Sequence, residues 1–261
     1  MNKKIIPLVW TLLIGVFSTL HAQDESIPEF DDNCCESEEC PTDAFSNIRG
    51  KADIGAAYVH IDVLLSGRTE HKMDLGGVRA DLYYRIWKGL VIKPSVLYAK
   101  GEGRDEILTG GIGLGFCLPY KQRFCFTPIG GINWGDLRTR VTFAVPFQNP
   151  VTGNFEEGKI KVKETFRSSS PYVGFEFSYN FCPTWRTVFT YQYSWSRTRT
   201  TLKHVGSSKG NSKGSNYGLL LEHDITSKWS INLGAAYNCS LSHEKHGIRA
   251  YGGKIGLAYW F

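Results

Sequence analysis

Residues 248–261 read IRAYGGKIGLAYWF, and the phase of their alternation decides the fold. Arg249, Tyr251, Ile255, Leu257, Tyr259 and Phe261 share one face; Ala250, Gly252, Lys254, Gly256, Ala258 and Trp260 share the other. The first face is large and apolar. The second is mostly small and carries a Lys. That combination fits a strand whose apolar face meets lipid while its small, polar face lines a lumen.

The alternation extends upstream over ten segments, near 51–66, 73–87, 90–100, 107–119, 124–145, 159–181, 185–203, 215–224, 229–242 and 248–261. Each is close to or longer than the ~9–11 residues that cross a bilayer at a tilt. Val78, Ala80, Leu82, Tyr84 and Ile86 oppose Gly77, Arg79, Asp81, Tyr83 and Arg85. Phe189, Tyr191, Tyr193 and Trp195 oppose Thr190, Gln192, Ser194 and Ser196. Connections alternate between short ones (WKG, PYKQR, CPT, HDITSK) and generally longer, more polar ones such as SGRTEHK, VPFQNPVTGNFEEG and HVGSSKGNSKG. Aromatics flank the short turns at Tyr84, Trp87, Tyr120, Phe124, Phe181, Trp185, Trp229 and Phe261, as in an interfacial girdle. The expectation is an all-β, antiparallel, up-and-down transmembrane β-barrel of about ten strands. A soluble sandwich or lipocalin-like barrel accounts for neither the Gly/Ala/Ser-rich polar face nor the girdle.

The N-terminus supplies Lys3 and Lys4, then an apolar run from Ile5 to Leu20. This pattern predicts a cleaved signal peptide over residues 1–22. Residues 23–47 form an acidic, Cys-bearing segment without periodicity, expected in the periplasm, and the barrel occupies 48–261. Both termini of the mature barrel are then expected on the periplasmic side of a bacterial outer membrane. The composition agrees: 28 Gly, 13 Tyr, 15 Phe and 7 Trp stand against 2 Met, and no further apolar run is long enough for a spanning helix.

From Lys51 to Phe261 the chain resembles small bacterial outer-membrane β-barrel proteins. Leu257, Tyr259 and Phe261 are similar to the C-terminal aromatic assembly signal of that class, which implies recognition by the barrel-assembly machinery. The Cys-rich segment resembles, more weakly, cysteine-cross-linked envelope proteins of chlamydia-type bacteria.

The seven Cys are 34, 35, 40, 117, 125, 182 and 239. Cys117 and Cys125, expected directly opposite each other across a turn centred on Lys121, form a candidate disulfide. Cys34, Cys35, Cys40 and Cys182 are candidates for cross-links to envelope partners in an oxidising compartment. The lumen is expected to hold His60, Asp62, Arg79, Asp81, Arg85, Lys93, Glu176, Arg186, Glu222 and Lys254 as a balanced charge network, since a barrel near eight strands is filled by its side chains. Omptin proteases are similar ten-stranded barrels. Their chemistry needs an acidic pair facing an Asp–His pair, and the fragments Asp62–His60, Glu70–His71 and His223–Asp224 do not reproduce that motif. Gly110–Gly115 lies within a strand and opens no helix, so it is no dinucleotide loop. No enzyme activity, metal or cofactor is expected, and no nucleic-acid partner.

Between Glu176 and Glu222 there is no acidic residue, whereas Arg197, Arg199, Lys203, Lys209 and Lys213 cluster there. A one-sign patch concentrates polyanions. The expected role is therefore an envelope-structural, adhesin-like barrel in contact with outer-membrane lipid and lipopolysaccharide, with a loop for host polyanions. A narrow porin-like channel is the alternative, and an omptin-like protease the remote one.

Overall fold

A computed structural model describes residues 49–102, 105–120, 123–148, 155–202 and 206–261. The strands are β1 (Gly50–Leu65), β2 (Arg68–Trp87), β3 (Leu90–Gly101), β4 (Glu106–Phe116), β5 (Leu118–Tyr120), β6 (Phe124–Gln148), β7 (Phe155–Cys182), β8 (Trp185–Leu202), β9 (Gly206–Asp224), β10 (Trp229–Leu241) and β11 (Gly247–Trp260). All neighbours are antiparallel and sequential. β4 and β5 are one barrel strand interrupted at Cys117, and both pair with β6. β1 pairs with β11 from Lys51↔Trp260 to Leu64↔Gly247, which closes a ten-stranded barrel and leaves no open edge through its wall. The seam is pinned at the chain's last residue. Arg49 N and Gly50 N donate to Phe261 O (2.9 and 2.8 Å), and Phe261 N donates to Gly50 O (3.0 Å).

Large apolar side chains point outward all round. Ile54 is 60% exposed and Ile255 65%, and Val78, Tyr98, Leu114, Val173, Trp195 and Leu233 belong to the same belt. Soluble monomers keep contiguous apolar patches to about 300–600 Å². A belt that encircles the barrel is stable only in hydrocarbon, and the chain is a membrane-spanning barrel. Trp87, Phe181, Trp185, Trp229 and Phe261 are exposed beside the turns at one end, as the girdle pattern requires.

The two ends differ, but not as the loop lengths suggested. At the turn end β2–β3, β7–β8 and β9–β10 connect through Lys88–Gly89, Pro183–Thr184 and Ile225–Lys228. At the other end the expected long loops are mostly strand. β2 already begins at Arg68, after a tight Ser66–Gly67 turn with positive φ at both residues. β9 begins at Gly206, so the run read as a solvated loop is a ladder with β8, from Trp185↔His223 out to Leu202↔Gly206. β6 and β7 pair out to Gln148↔Phe155, about 45 Å along the strand beyond Trp134. Continuing the hairpins satisfies backbone groups that a loop would leave to water. The result is an arm of β6–β9 rising from one side of the barrel.

The face assignment holds on most strands and fails on β1. Ile54 and Tyr58 are exposed, whereas Ile61 is 1% exposed and packs with Met73, Leu75, Ala99 and Leu137 inside the barrel. Odd positions of β1 therefore face the lumen. His60 and Asp62 lie on the outer surface, not in the lumen as expected.

Candidate functional site

Three polar assemblies follow from this geometry. The first closes the lumen at its turn end. Glu222 is wholly buried and accepts from Lys51 Nζ (3.0 and 3.1 Å) and Ser230 Oγ (2.9 Å), with Arg186 Nη1 3.9 Å away. The Trp260 indole lies against both cations, 5.0 Å from Lys51 Nζ and 4.5 Å from Arg186 Cζ, and its Nε1 donates to Ser230 (3.1 Å). Beside this cluster Lys254 donates to Asp53 (2.6 Å) and Asp81 (3.0 Å), while Arg79 Nε holds Asp81 at 2.8 Å. Lys93 pairs with Glu176, and Arg85 points inward. Thus Arg79, Asp81, Lys93, Glu176, Arg186, Glu222 and Lys254 of the predicted lumenal charges meet as ion pairs, whereas His60 and Asp62 lie outside and the buried Nε of Arg85 has no hydrogen-bond partner among the described residues. Lys51, Asp53 and Trp260 complete the network. The polar-face parity of β11 marked Trp260, but the misread phase of β1 hid the other two.

On the opposite half of this end, Val91, Cys117 and Cys125 are buried against Tyr83. The two sulfur atoms lie at disulfide distance, with Cα atoms 6.3 Å apart. They are diagonal rather than directly opposed. Leu118 pairs with Phe126 and Tyr120 with Phe124, a register two residues from the expected one, because β5 continues the register that β4 already holds with β6 at Gly115↔Ile129. Cys182 is exposed beside the β7–β8 turn, and Cys239 is half-buried. Cys34, Cys35 and Cys40 lie outside the described residues.

The second assembly lies outside, just beyond the apolar belt on β1, β2 and β11. His60 stacks on Tyr251 (4.6 Å), and its Nδ1 is 2.7 Å from Asp74 and its Nε2 3.4 Å from Asp62. Tyr58 Oη donates to Asp74, and this bond, followed by the one to His60, holds the Asp74 carboxyl below the usual carboxylate range. His71 lies elsewhere, at the arm-end mouth. Its Nε2 is 3.8 Å from Asp105, which accepts from Thr139 Oγ1 (2.7 Å). His223 stacks on Trp185 at the turn end. The three His-bearing fragments thus remain apart, and among the described residues no three His, Cys, Asp or Glu side chains could share a metal ion.

The third assembly is the outward face of the arm. Arg167 of β7, Arg199 of β8 and Lys209 of β9 occupy one cross-strand row. The next row holds Ser169, Arg197 and Asn211, and Lys213 pairs with Trp195 at the edge of the belt. Directly opposed like charges destabilise a sheet. Arg167 is partly compensated by Asp136 (3.2 Å), which also accepts from Arg138 (2.9 Å). Among the described residues no carboxylate pairs with Arg197, Arg199, Lys209 or Lys213. These rows line a shallow open concavity of about 370 Å³. The cations were legible in the sequence as a basic run; Lys203 lies outside the described residues. Arg167 was not singled out, because 30 or more residues separate it from the others in the chain.

No protein-family model and no curated protein matches the chain. Solved structures share its architecture. The outer membrane protease OmpT from Escherichia coli matches with a TM-score of 0.54 and 14% identity, over 82% of this chain and 97% of that one. The translocator domain of the autotransporter NalP from Neisseria meningitidis matches with 0.45 and 11%, over 82% and 88%. The Ail protein of Yersinia pestis, solved with the heparin analogue sucrose octasulfate, matches with 0.42 and 10%, over 82% and 99%. At these identities the likeness extends to the fold, which is that of an outer-membrane β-barrel.

Proposed function

We propose that this chain is an integral barrel of the bacterial outer membrane whose outward arm face binds polyanions, giving it an adhesin-like surface role. The observation that carries the reading is the Arg167–Arg199–Lys209 row. A sheet gains nothing by stacking three cations, and an array of sulfates or phosphates removes the repulsion. The face sits directly above the aromatic belt. Lipopolysaccharide phosphates reach it from below and sulfated host polysaccharides from above. The short-turn end then faces the periplasm, where Leu257, Tyr259 and Phe261 serve as the signal for barrel assembly. Cys182, with Cys34, Cys35 and Cys40, supplies thiols for links to envelope proteins.

The test is chromatography of the refolded chain on heparin, with binding to lipopolysaccharide vesicles as a parallel arm. Replacing Arg199 and Lys209 by Gln should lower the eluting salt, because the contact is electrostatic and screened by ions. The faster gel migration of the unheated barrel should not change. Elution of the double variant at the parent's salt, with unchanged vesicle binding, would refute the reading.

A further inference from the structure

The barrel wall has no open edge, but the arm does. β9 pairs with β10 only as far as Leu241↔Lys213, whereas its ladder with β8 continues to Leu202↔Gly206. Residues 206–212 therefore have a strand on one side only, among the described residues, and present an edge ~23 Å long. Asp224 N donates to Thr184 O (2.8 Å), and the β8–β9 register runs unbroken from Trp185↔His223 outward. Residues of an antiparallel strand alternate in the side to which they direct both backbone groups. The even-numbered residues of β9 thus bond to β8, while Ser207, Lys209 and Asn211 turn N–H and C=O to the open side.

Side chains do not shield this edge. Residues 206–211 are all exposed, and a Cβ at Gly206 or Gly210 would meet no atom within 4 Å. Natural edges are blunted by Pro, bulges or charge. This stretch has no Pro and keeps an even register, so Lys209 is its one guard. That charge makes the edge selective. A second copy of the chain would bring its own Lys209 to the same edge, and like charges across a strand pair repel. An acidic strand meets no such barrier. The outward row Arg167–Arg199–Lys209 ends at this edge, and a carboxylate opposite Lys209 would extend it with the opposite sign. A second carboxylate opposite Asn211 would lie diagonal to both Lys209 and Lys213, still within reach of long side chains. On the other face Ser208, Gly210 and Ser212 are small and impose no shape.

We propose that the open edge of β9 accepts an extended, acidic segment of a partner protein as an added strand. Ser207, Lys209 and Asn211 supply the backbone hydrogen bonds, and alternate carboxylates of the segment face outward beside Lys209 and Lys213. This goes beyond the polyanion reading. The outward cations serve any polyanion, whereas the edge requires a peptide backbone, so the two fail separately.

Fluorescence anisotropy on the refolded full chain in detergent tests this with three labelled peptides. One alternates Thr and Glu; the second is the same peptide N-methylated at its Glu residues, which keeps the charge and removes the N–H groups that would meet the edge; the third alternates Thr and Lys. The first should bind, the second roughly tenfold or more weakly, and the third not at all. Asn211→Pro removes an edge N–H that β8 does not use and should weaken the Thr/Glu peptide roughly tenfold, whereas Asn211→Ala should bind it like the parent. Both variants retain every cation and should keep the parent's salt of elution from heparin. If Asn211→Pro loses the heat-dependent gel shift of a folded barrel, the comparison of the two Glu peptides on the parent decides. Equal binding of those two peptides, no binding of either, binding of the Thr/Lys peptide, or unchanged affinity in a folded Asn211→Pro would overturn the proposal.

Discussion

Glu222→Gln tests whether the turn-end network holds the barrel closed. The side chain is fully buried, while its partners Lys51 and Arg186 are 14% and 15% exposed. Glutamine keeps the shape and can still accept from Ser230, but it removes the shared counter-charge of two cations that also crowd the Trp260 ring. Removing one member of a buried ion pair costs ~3–5 kcal/mol, because the remaining charge stays desolvated. Arg186 keeps Asp224 at 3.6 Å, so the lower end, ~3 kcal/mol, is expected. Urea unfolding in lipid vesicles, followed by Trp fluorescence, measures it. Adding Lys51→Met to Glu222→Gln should restore part of the loss, since the double variant removes the orphaned ammonium as well. A loss below ~1 kcal/mol, or no recovery in the double variant, would show that water reaches this layer and that the burial argument is wrong.

Further outcomes are expected at three positions. Without reductant, maleimide should label Cys182 and spare Cys117 and Cys125, and peptide mass mapping should find the last two joined; unlinked peptides would refute their pairing. Ile61→Ala should destabilise the barrel by ~2–5 kcal/mol in the same unfolding assay, since it opens the buried apolar wall, and a near-neutral change would put Ile61 on the lipid face instead. In a carboxylate NMR titration Asp74 should titrate below ordinary aspartates, and Tyr58→Phe should raise it toward them. Because the folded-state value is depressed, its contribution to stability is present above the unfolded value and lost as pH falls through the folded one. An unmoved midpoint in Tyr58→Phe would remove the hydrogen bond as the cause.

The sequence alone determined the barrel, because on most strands the two faces differ sharply in size and polarity. On β2, Val78 to Ile86 against Gly77 to Arg85 admits one phase only. β1 does not: Ala52 and Ala56 lie outward and Gly55 and Ala57 inward, so its pattern is nearly symmetric. Pairing with β2 and β11 decided it by burying Ile61 against Met73 and sending His60 and Asp62 outward. The Gly/Ser run 206–214 has little intrinsic strand preference and reads as a loop. It is a strand because β8 offers an edge to pair with, a tertiary condition that composition does not carry. The sites show the same division. The basic residues of β8 and β9 were visible as a run in the chain, but their alignment with Arg167 depends on the register of three strands. Lys51 and Glu222 are 171 residues apart and touch only because the barrel closes. A contact made by closure leaves no local mark at either end of the chain.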